Sequence, residues 1–456
     1  MRAKSLFRLF IAAFVPLLGA CGQVHETTLE NGLKVIVKED HRSPVVVSQV
    51  WYRVGSSYEP EGLTGISHVL EHMMFKGTTH HPAGEFSRII AEHGGRENAF
   101  TGDDYTAYFQ QLEKSRLPIS FELEADRMRN LLLKEEDFQR EVRVVMEERR
   151  LRTEDNPQAL TYERFMATAY QVHPYRHPII GWMEDLERLK LKDLQRWYDR
   201  WYAPNNAILV VVGDVEPQAV FALAKKHFGP IPAREVVPPT APLEPPQKEL
   251  RRAQVRVPAE VPYLLLGYHA PVLTGGQDRE QYALAVAAGI LSGGQSARFA
   301  SRLVRGRQIA ADLGADYNPA SKYPPLFIVG GAPAPGHDLQ ALEAAVRGEI
   351  ERLRNEPVGE AELERVKAQV VADEIYERDS VFGQAMAIGM LETVGLDWRL
   401  EKEYVRRVRA VSAADVQAAV KKYLIPTNLT VVALDPLPLD RGAPRPPRAM
   451  EPGHGH

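Results

Sequence analysis

The chain has 456 residues and a formal net charge of −4, with 44% hydrophobic and 25% charged residues. This is ordinary globular composition, with length for roughly two to three domains. No basic stripe with interleaved aromatics runs along it, which argues against a nucleic-acid-binding protein, and no apolar run is long enough to span a bilayer.

The first predicted element is a leader, residues 1–20. "MRAKSLFR" is a basic start, "LFIAAFVPLL" a short apolar core, and "LLGAC" brings small residues and then Cys21, the only cysteine. That order reads as a secretory signal, too short for a spanning helix. Its end resembles a bacterial lipoprotein signal, in which Cys21 would be acylated and become the mature N-terminus. Gly22, where an Asp would signal otherwise, resembles the outer-membrane sorting pattern. The expectation is a periplasmic protein whose lipid anchor, in the outer membrane, is its one membrane contact.

From about residue 25, strands and helices alternate. "GLKVIVKED" and "VVVSQVWYRVG" are predicted to pair as strands around a turn at "HRSP". Helical patterns fill 64–76, 84–94, 113–132, 134–152 and 158–170. "ENAFTGDDYTAYF", residues 97–109, reads first as a loop and then as a short strand. "NNAILVVVGDV" is a buried strand by its apolar run, and "EPQAVFALAKKHFG" a helix closed by Gly229. Residues 230–249 hold seven prolines, the composition of a stiff extended linker.

After the linker the programme repeats. "PYLLLGYHAP" reads as a strand and "QYALAVAAGILSGG" as a helix. Residues 412–435 echo residues 191–214: a helix, a P-x-N turn, then a buried strand. Pro204 and Pro426 stand 222 residues apart, as do Asp193 and Asp415. Two related domains, 21–229 and 250–435, explain that ordered echo. The proline-rich residues 436–456 read as a loose tail.

One stretch carries chemistry. In "GISHVLEHMMF" the apolar residues wrap nearly all round a helix, so His68, Glu71 and His72 would be buried. Burying them unpaired would cost several kcal/mol. Residues four apart stack on one helix face, so His68 and His72 aim their imidazoles at one point and Glu71 lies beside it. Two neutral histidines on one face make half of a tetrahedral zinc site, and a metal supplies the missing partner. A catalytic zinc needs a third protein ligand, and "EEDFQREVRVVMEERRLR" offers candidates. Glu141 and Glu148 are seven apart and share a face, whereas Glu147 sits beside Arg140, Arg143 and Arg150. Glu148 is therefore the expected ligand, and Glu141 the residue behind it that orients a histidine or the water.

His68-x-x-Glu71-His72, with Glu148 seventy-six residues beyond His72, resembles the inverted zinc motif of the M16 peptidases, the family of insulin-degrading enzyme, pitrilysin and the mitochondrial processing peptidases. "HGGRENAFTGDDYTAYF", "HPYRHPIIGW" and "WYAPNNAILVVVGDV" resemble further family blocks, in order. The resemblance implies an α+β fold of two related domains, each a mainly antiparallel sheet covered by helices, the LuxS/MPP-like metallohydrolase architecture. It implies one zinc ion per chain and a zinc endopeptidase with Glu71 as general base. It also implies a sheet edge to which a peptide substrate adds as a strand, with Asn98 and Ala99 by the cleaved bond and Phe100 by a side-chain pocket.

The second domain departs from the family pattern. Members that complete their own site carry an Arg and, seven residues later, a Tyr. Arg305 fits the first role, but the seventh residue after it is Asp312, and the nearest tyrosine is Tyr317. Either Tyr317 acts from a shifted loop, or a partner supplies the pair. The resemblance thus implies a homo- or heterodimer with an M16-like subunit carrying the Arg/Tyr pair. An alternative of a different class is a non-catalytic peptide-binding or assembly subunit of such a heterodimer.

Overall fold

The computed structural model describes residues 22–439 except residue 277, so the expected leader, Cys21 and the tail from 440 lie outside the described residues. Two sheets organise the chain. The first comprises β1 (Val24–Thr28), β2 (Lys34–Glu39), β3 (Val45–Tyr52), β4 (Arg96–Thr101), β5 (Thr106–Glu113) and β6 (Ala207–Gly213), in the order β1-β2-β6-β3-β5-β4. The second comprises β7 (Arg251–Val255), β8 (Tyr263–His269), β9 (Ala310–Asp316), β10 (Leu326–Pro333) and β11 (Leu429–Leu434), in the order β7-β11-β8-β10-β9. Each sheet has one parallel pair, β2 with β6 and β7 with β11, at the same place in an otherwise antiparallel order. This is the expected α+β architecture of two related domains.

The repeated turn explains part of the echo. Asn206 Nδ2 donates to the Trp201 carbonyl at 2.9 Å, and Asn428 Nδ2 to the Tyr423 carbonyl at 2.9 Å. In each domain the asparagine thus closes the preceding helix and turns the chain into the strand that carries the parallel pair.

Two sequence expectations are corrected. The segments around β2 and β3 do not pair with each other, because β6 lies between them. Every residue of β6 is buried, and an apolar strand of that kind takes the sheet centre, where both edges and both faces are covered. The tail does not loosen at 436: Leu437 donates its N–H to the Val257 carbonyl at 2.9 Å.

The helices of the first half are α1 (Ile66–Met73), α2 (Glu85–Glu92), α3 (Leu117–Asn130), α4 (Glu135–Arg149), α5 (Pro157–Ala169), α6 (Met183–Arg188), α7 (Leu191–Trp201) and α8 (Pro217–His227). Those of the second half are α9 (Arg279–Ser292), α10 (Leu339–Asn355), α11 (Glu360–Glu377), α12 (Val381–Thr393), α13 (Leu400–Arg409) and α14 (Ala413–Tyr423). Helices α1–α4, α7 and α8 share a core with one face of the first sheet. The other face (Ile36, Val47, Trp51, Ile208, Val210) is covered by Ala385 and Ile388 of α12 and by Trp398. Reciprocally, Phe165 and Ala169 of α5 pack on Val255, Leu265 and Val432 of the second sheet. Each domain therefore lends a helix to the other's sheet. Gly389 makes the α12 contact possible: a Cβ there would stand 2.1 Å from Trp51 Cε2. Among the described residues no helix is long and apolar enough to cross a membrane.

Candidate active site

Helix α1 starts at Gly65, whose φ of 84° is left-handed. A side chain would be strained there, and its Cβ would come within 2.6 Å of the Ile180 carbonyl oxygen. Glu59 caps the helix: its two oxygens accept the N–H groups of Gly65 at 2.7 Å and Ser67 at 2.8 Å. Ile66, Val69, Leu70 and Met73 anchor the apolar side of α1 in the first core. The remaining side presents His68, Glu71 and His72 to a cavity of about 770 Å³. Helix α4 crosses α1 with Phe138, Val142 and Val145 buried, which turns Glu141 and Glu148 to the same cavity. Glu147 points elsewhere: its side chain is 65% exposed and pairs with Arg150.

Ligand-capable atoms of His68, His72 and Glu148 all lie within 4.8 Å of one another. Glu148 Oε2 stands 3.4 Å from His72 Nε2 and 3.9 Å from His68 Nε2. Atoms bound at about 2.0–2.1 Å to one tetrahedral ion stand roughly 3.4 Å apart, so the trio fits zinc with little adjustment. The electrostatics fit as well. Burial pulls His72 down, but Glu141 and Glu148 outweigh it and lift the imidazole to about 9. Surroundings that hold a proton so firmly equally favour a cation between the rings and the carboxylate. His68, pushed down by burial to about 4 and by the neighbouring His72, stays neutral, as a metal ligand must be. The two rings meet edge to face with centroids 4.8 Å apart. His72 Nδ1 lies 3.4 Å from Glu141 Oε2, and Lys76 Nζ holds the other Glu141 oxygen at 2.8 Å. Burial raises Glu148 while His72, His68 and Arg152 lower it, and the net displacement is downward, keeping the carboxylate ionised.

Glu71 is placed differently from the trio. Burial raises its carboxyl, partly offset by Thr101, whose Oγ1 donates to Glu71 Oε2 at 2.5 Å. Thr101 ends β4, which reads as a loop from its residue pattern and as a sheet edge from the family resemblance. In the structure β4 is the edge strand of the first sheet, paired with β5 from Arg96↔Gln111 to Thr101↔Thr106. Gly102 N–H bonds the Tyr105 carbonyl at 2.8 Å, so Asn98 and Phe100 belong to the hydrogen-bonded positions of the hairpin and Glu97, Ala99 and Thr101 aim their backbone outward. Ala99 N–H accordingly has no ladder partner and is met by Asn98 Oδ1 at 2.9 Å. Asn98, Ala99 and Phe100 all line the cavity, although the Phe100 ring itself packs on Trp51 at 5.3 Å.

The structure does not bring the second-domain residues to the cavity, whose lining runs from His68 to Ile180. Arg305 is exposed and bonded to Gln295, at 2.7 Å to its side chain and 2.5 Å to its carbonyl. Tyr317 is buried in the second core, donates to the Pro271 carbonyl and stacks near Phe327. Sequence reasoning missed Thr101, Lys76 and Arg152. Lys76 and Arg152 each follow a site residue by four positions, a signal that was available; Thr101 reaches Glu71 from another element and gave none.

Comparison with known proteins gives the chain's family. Residues 34–182 match the family described as insulinase (peptidase family M16), and residues 188–370 match the peptidase M16 inactive domain. The zinc protease PqqE of Helicobacter pylori is 35% identical over 422 residues, 90% of this chain and 93% of that protein. The uncharacterized zinc protease SCO5738 of Streptomyces coelicolor is 25% identical over 412 residues, 88% of each chain. A crystal structure of a protease from Helicobacter pylori superposes with a TM-score of 0.86 at 33% identity, covering 91% of this chain and 100% of that one. The periplasmic protease PqqL of Escherichia coli shares the fold, with a TM-score of 0.77 at 17% identity, but this chain spans only 47% of it. Similar along nearly its whole length in both sequence and fold, the chain belongs to the M16 peptidase family.

Proposed function

We propose that this chain is a zinc-dependent endopeptidase for peptides or unfolded polypeptides, with Glu71 as general base. The observation that carries the reading is the convergence of His68, His72 and Glu148 beside Glu71, in a cavity bordered by an open strand edge. His68 and His72 through Nε2, and Glu148 through Oε2, would hold the ion, with Glu141 steadying His72. Bound zinc supplies Lewis-acid polarisation of the scissile carbonyl and a more acidic water. The chain's own residues do the rest. The outward backbone of Glu97, Ala99 and Thr101 pairs with an extended peptide, which tolerates varied sequences because the bonds are to main chain. Thr101 occupies Glu71 Oε2 and leaves Oε1 to take a proton from the attacking water and deliver it to the leaving amine nitrogen.

The test is cleavage of an unfolded protein substrate, with metal content measured on the same samples. Glu71→Gln is expected to keep its metal and lose about 10²–10⁴-fold in kcat. Undiminished cleavage would reject Glu71 as base.

A second reading concerns the partner. Neither Arg305 nor Tyr317 lines the cavity, which favours a dimer in which an M16-like subunit supplies an Arg/Tyr pair; a non-catalytic role in such a dimer is the alternative. Activity that appears only on adding that subunit would support the heterodimer. The leader and Cys21 support a periplasmic, lipid-anchored location, which Cys21→Ala would convert to a soluble one.

A further inference from the structure

Beyond the metal trio and the base, the cavity wall carries two cations, Lys76 and Arg152, and they are not equivalent. Lys76 is committed, its ammonium 2.8 Å from Glu141 and its side chain 29% exposed. Arg152 touches one carboxylate oxygen, Glu148 Oε1 at 2.9 Å through Nη1, and its side chain remains 62% exposed. A guanidinium has five donors, and no second acceptor among the described residues engages this one. It sits in an unusual piece of backbone: α4 gives way after Arg149 to a π-helical turn, Arg150–Glu154. Such turns are rare and occur frequently at functional sites. The turn puts Arg152 and Thr153 on the cavity wall while Leu151 points to solvent.

Charge points the same way. The lining holds three carboxylates, Glu71, Glu141 and Glu148, against those two cations. A divalent ion on the trio leaves the cavity net positive, which suits an anionic group on the ligand and repels a cationic one. Arg152 is also close to the reacting centre, because the carboxylate it touches is the one whose other oxygen lies 3.4 Å from His72 Nε2.

We propose that Arg152 is a specificity-determining residue that binds a carboxylate of the peptide close to the scissile bond, through the guanidinium donors that Glu148 leaves open. The proposal rests on the peptidase reading above. The carboxylate has two possible sources, an Asp or Glu side chain or the free C-terminus of a short peptide.

The experiment uses peptides identical except for Glu or Gln beside the cleaved bond, each made as C-terminal acid and C-terminal amide. Wild type is expected to favour the carboxylate-bearing member of one pair by about tenfold in kcat/KM. In Arg152→Gln that ratio falls to near one, and Arg152→Lys recovers part of it. Loss of the Glu/Gln ratio assigns the side chain as source, and loss of the acid/amide ratio assigns the C-terminus. Fluorescence anisotropy of the same peptides on Glu71→Gln, with and without Arg152→Gln, reads binding without turnover and should show the same preference. If Arg152→Gln weakens all four peptides by one common factor, with a fall in zinc content, Arg152 merely steadies Glu148 and the proposal is overturned. No wild-type preference within either pair overturns it equally. If wild type cleaves nothing, the peptidase reading fails, while the anisotropy ratios still decide the role of Arg152.

Discussion

Thr101 shows how a single hydroxyl ties Glu71, the proposed base, to the strand beside it. Its bond to Glu71 Oε2 crosses from β4 to α1 and opposes the rise that burial imposes on that carboxyl. Thr101→Val would leave a carboxylate oxygen without its donor, at about 1–3 kcal/mol. The expected outcome is a kcat about 10–100-fold lower with little change in KM, and near-complete recovery in Thr101→Ser, measured by steady-state kinetics. At this scale much of the site was legible. His68, Glu71 and His72 follow from helical spacing, and the same periodicity separates Glu148, turned to the cavity, from Glu147, turned to solvent. Thr101 was not legible, because its distance to Glu71 is set by how β4 lies against α1.

In the proposed function the element that would meet the substrate is β4. Its sequence, "RENAFT", lacks the Val and Ile enrichment of β2, β3 and β6, which is why it resembles a loop. The hairpin with β5 makes it a strand, and the sheet order makes it an edge. An edge exposes backbone donors that proteins usually cover; here its stretch from Asn98 to Thr101 lines the cavity. Ala99→Pro would delete one outward N–H while sparing the ladder to β5. The expected loss is about 5–10-fold in kcat/KM, the worth of roughly one hydrogen bond, with an unchanged circular-dichroism spectrum and melting temperature. A large loss of stability instead would show that Ala99 N–H serves the fold rather than the substrate.

At the scale of the whole molecule, the two domains are held by exchanged helices and by a polar network at the start of α12. Asp40, just after β2, accepts from Arg42 Nη2 at 2.7 Å and from Gln384 Nε2 of α12 at 2.9 Å, while Arg42 reaches Asp379 at 2.9 Å. Arg42 chiefly, aided by Gln384 and opposed by burial, holds the Asp40 carboxyl down at about 2, against 3.8 when unperturbed. A depressed folded value contributes stability that is complete above the unfolded value and disappears as pH falls through the folded one. Because Arg42 is 58% exposed, solvent screening leaves about 1 kcal/mol. Asp40→Asn should therefore be about 1 kcal/mol less stable than wild type at neutral pH. The gap should close between about pH 4 and pH 2 in thermal melts, and a gap independent of pH would assign the loss to packing instead.

The sequence by itself determined what is local or periodic. It showed the helix that carries two histidines and a glutamate, the face of α4 that presents Glu148, and the repeated turn that betrays two related domains. Tertiary structure alone decided that β6 separates β2 from β3 and that α5 and α12 exchange sheets, and it makes an edge strand of "RENAFT", which the family resemblance implied but the residue pattern did not. It also decided that Arg305 and Tyr317 stay away from the cavity while Thr101 and Arg152 reach it. The physical reason is range. A helix turn or strand alternation places a side chain using neighbours a few residues away. Strand order and domain docking are chosen by the burial of apolar faces hundreds of residues apart, such as Trp51 against Gly389, and no short window of sequence contains both partners.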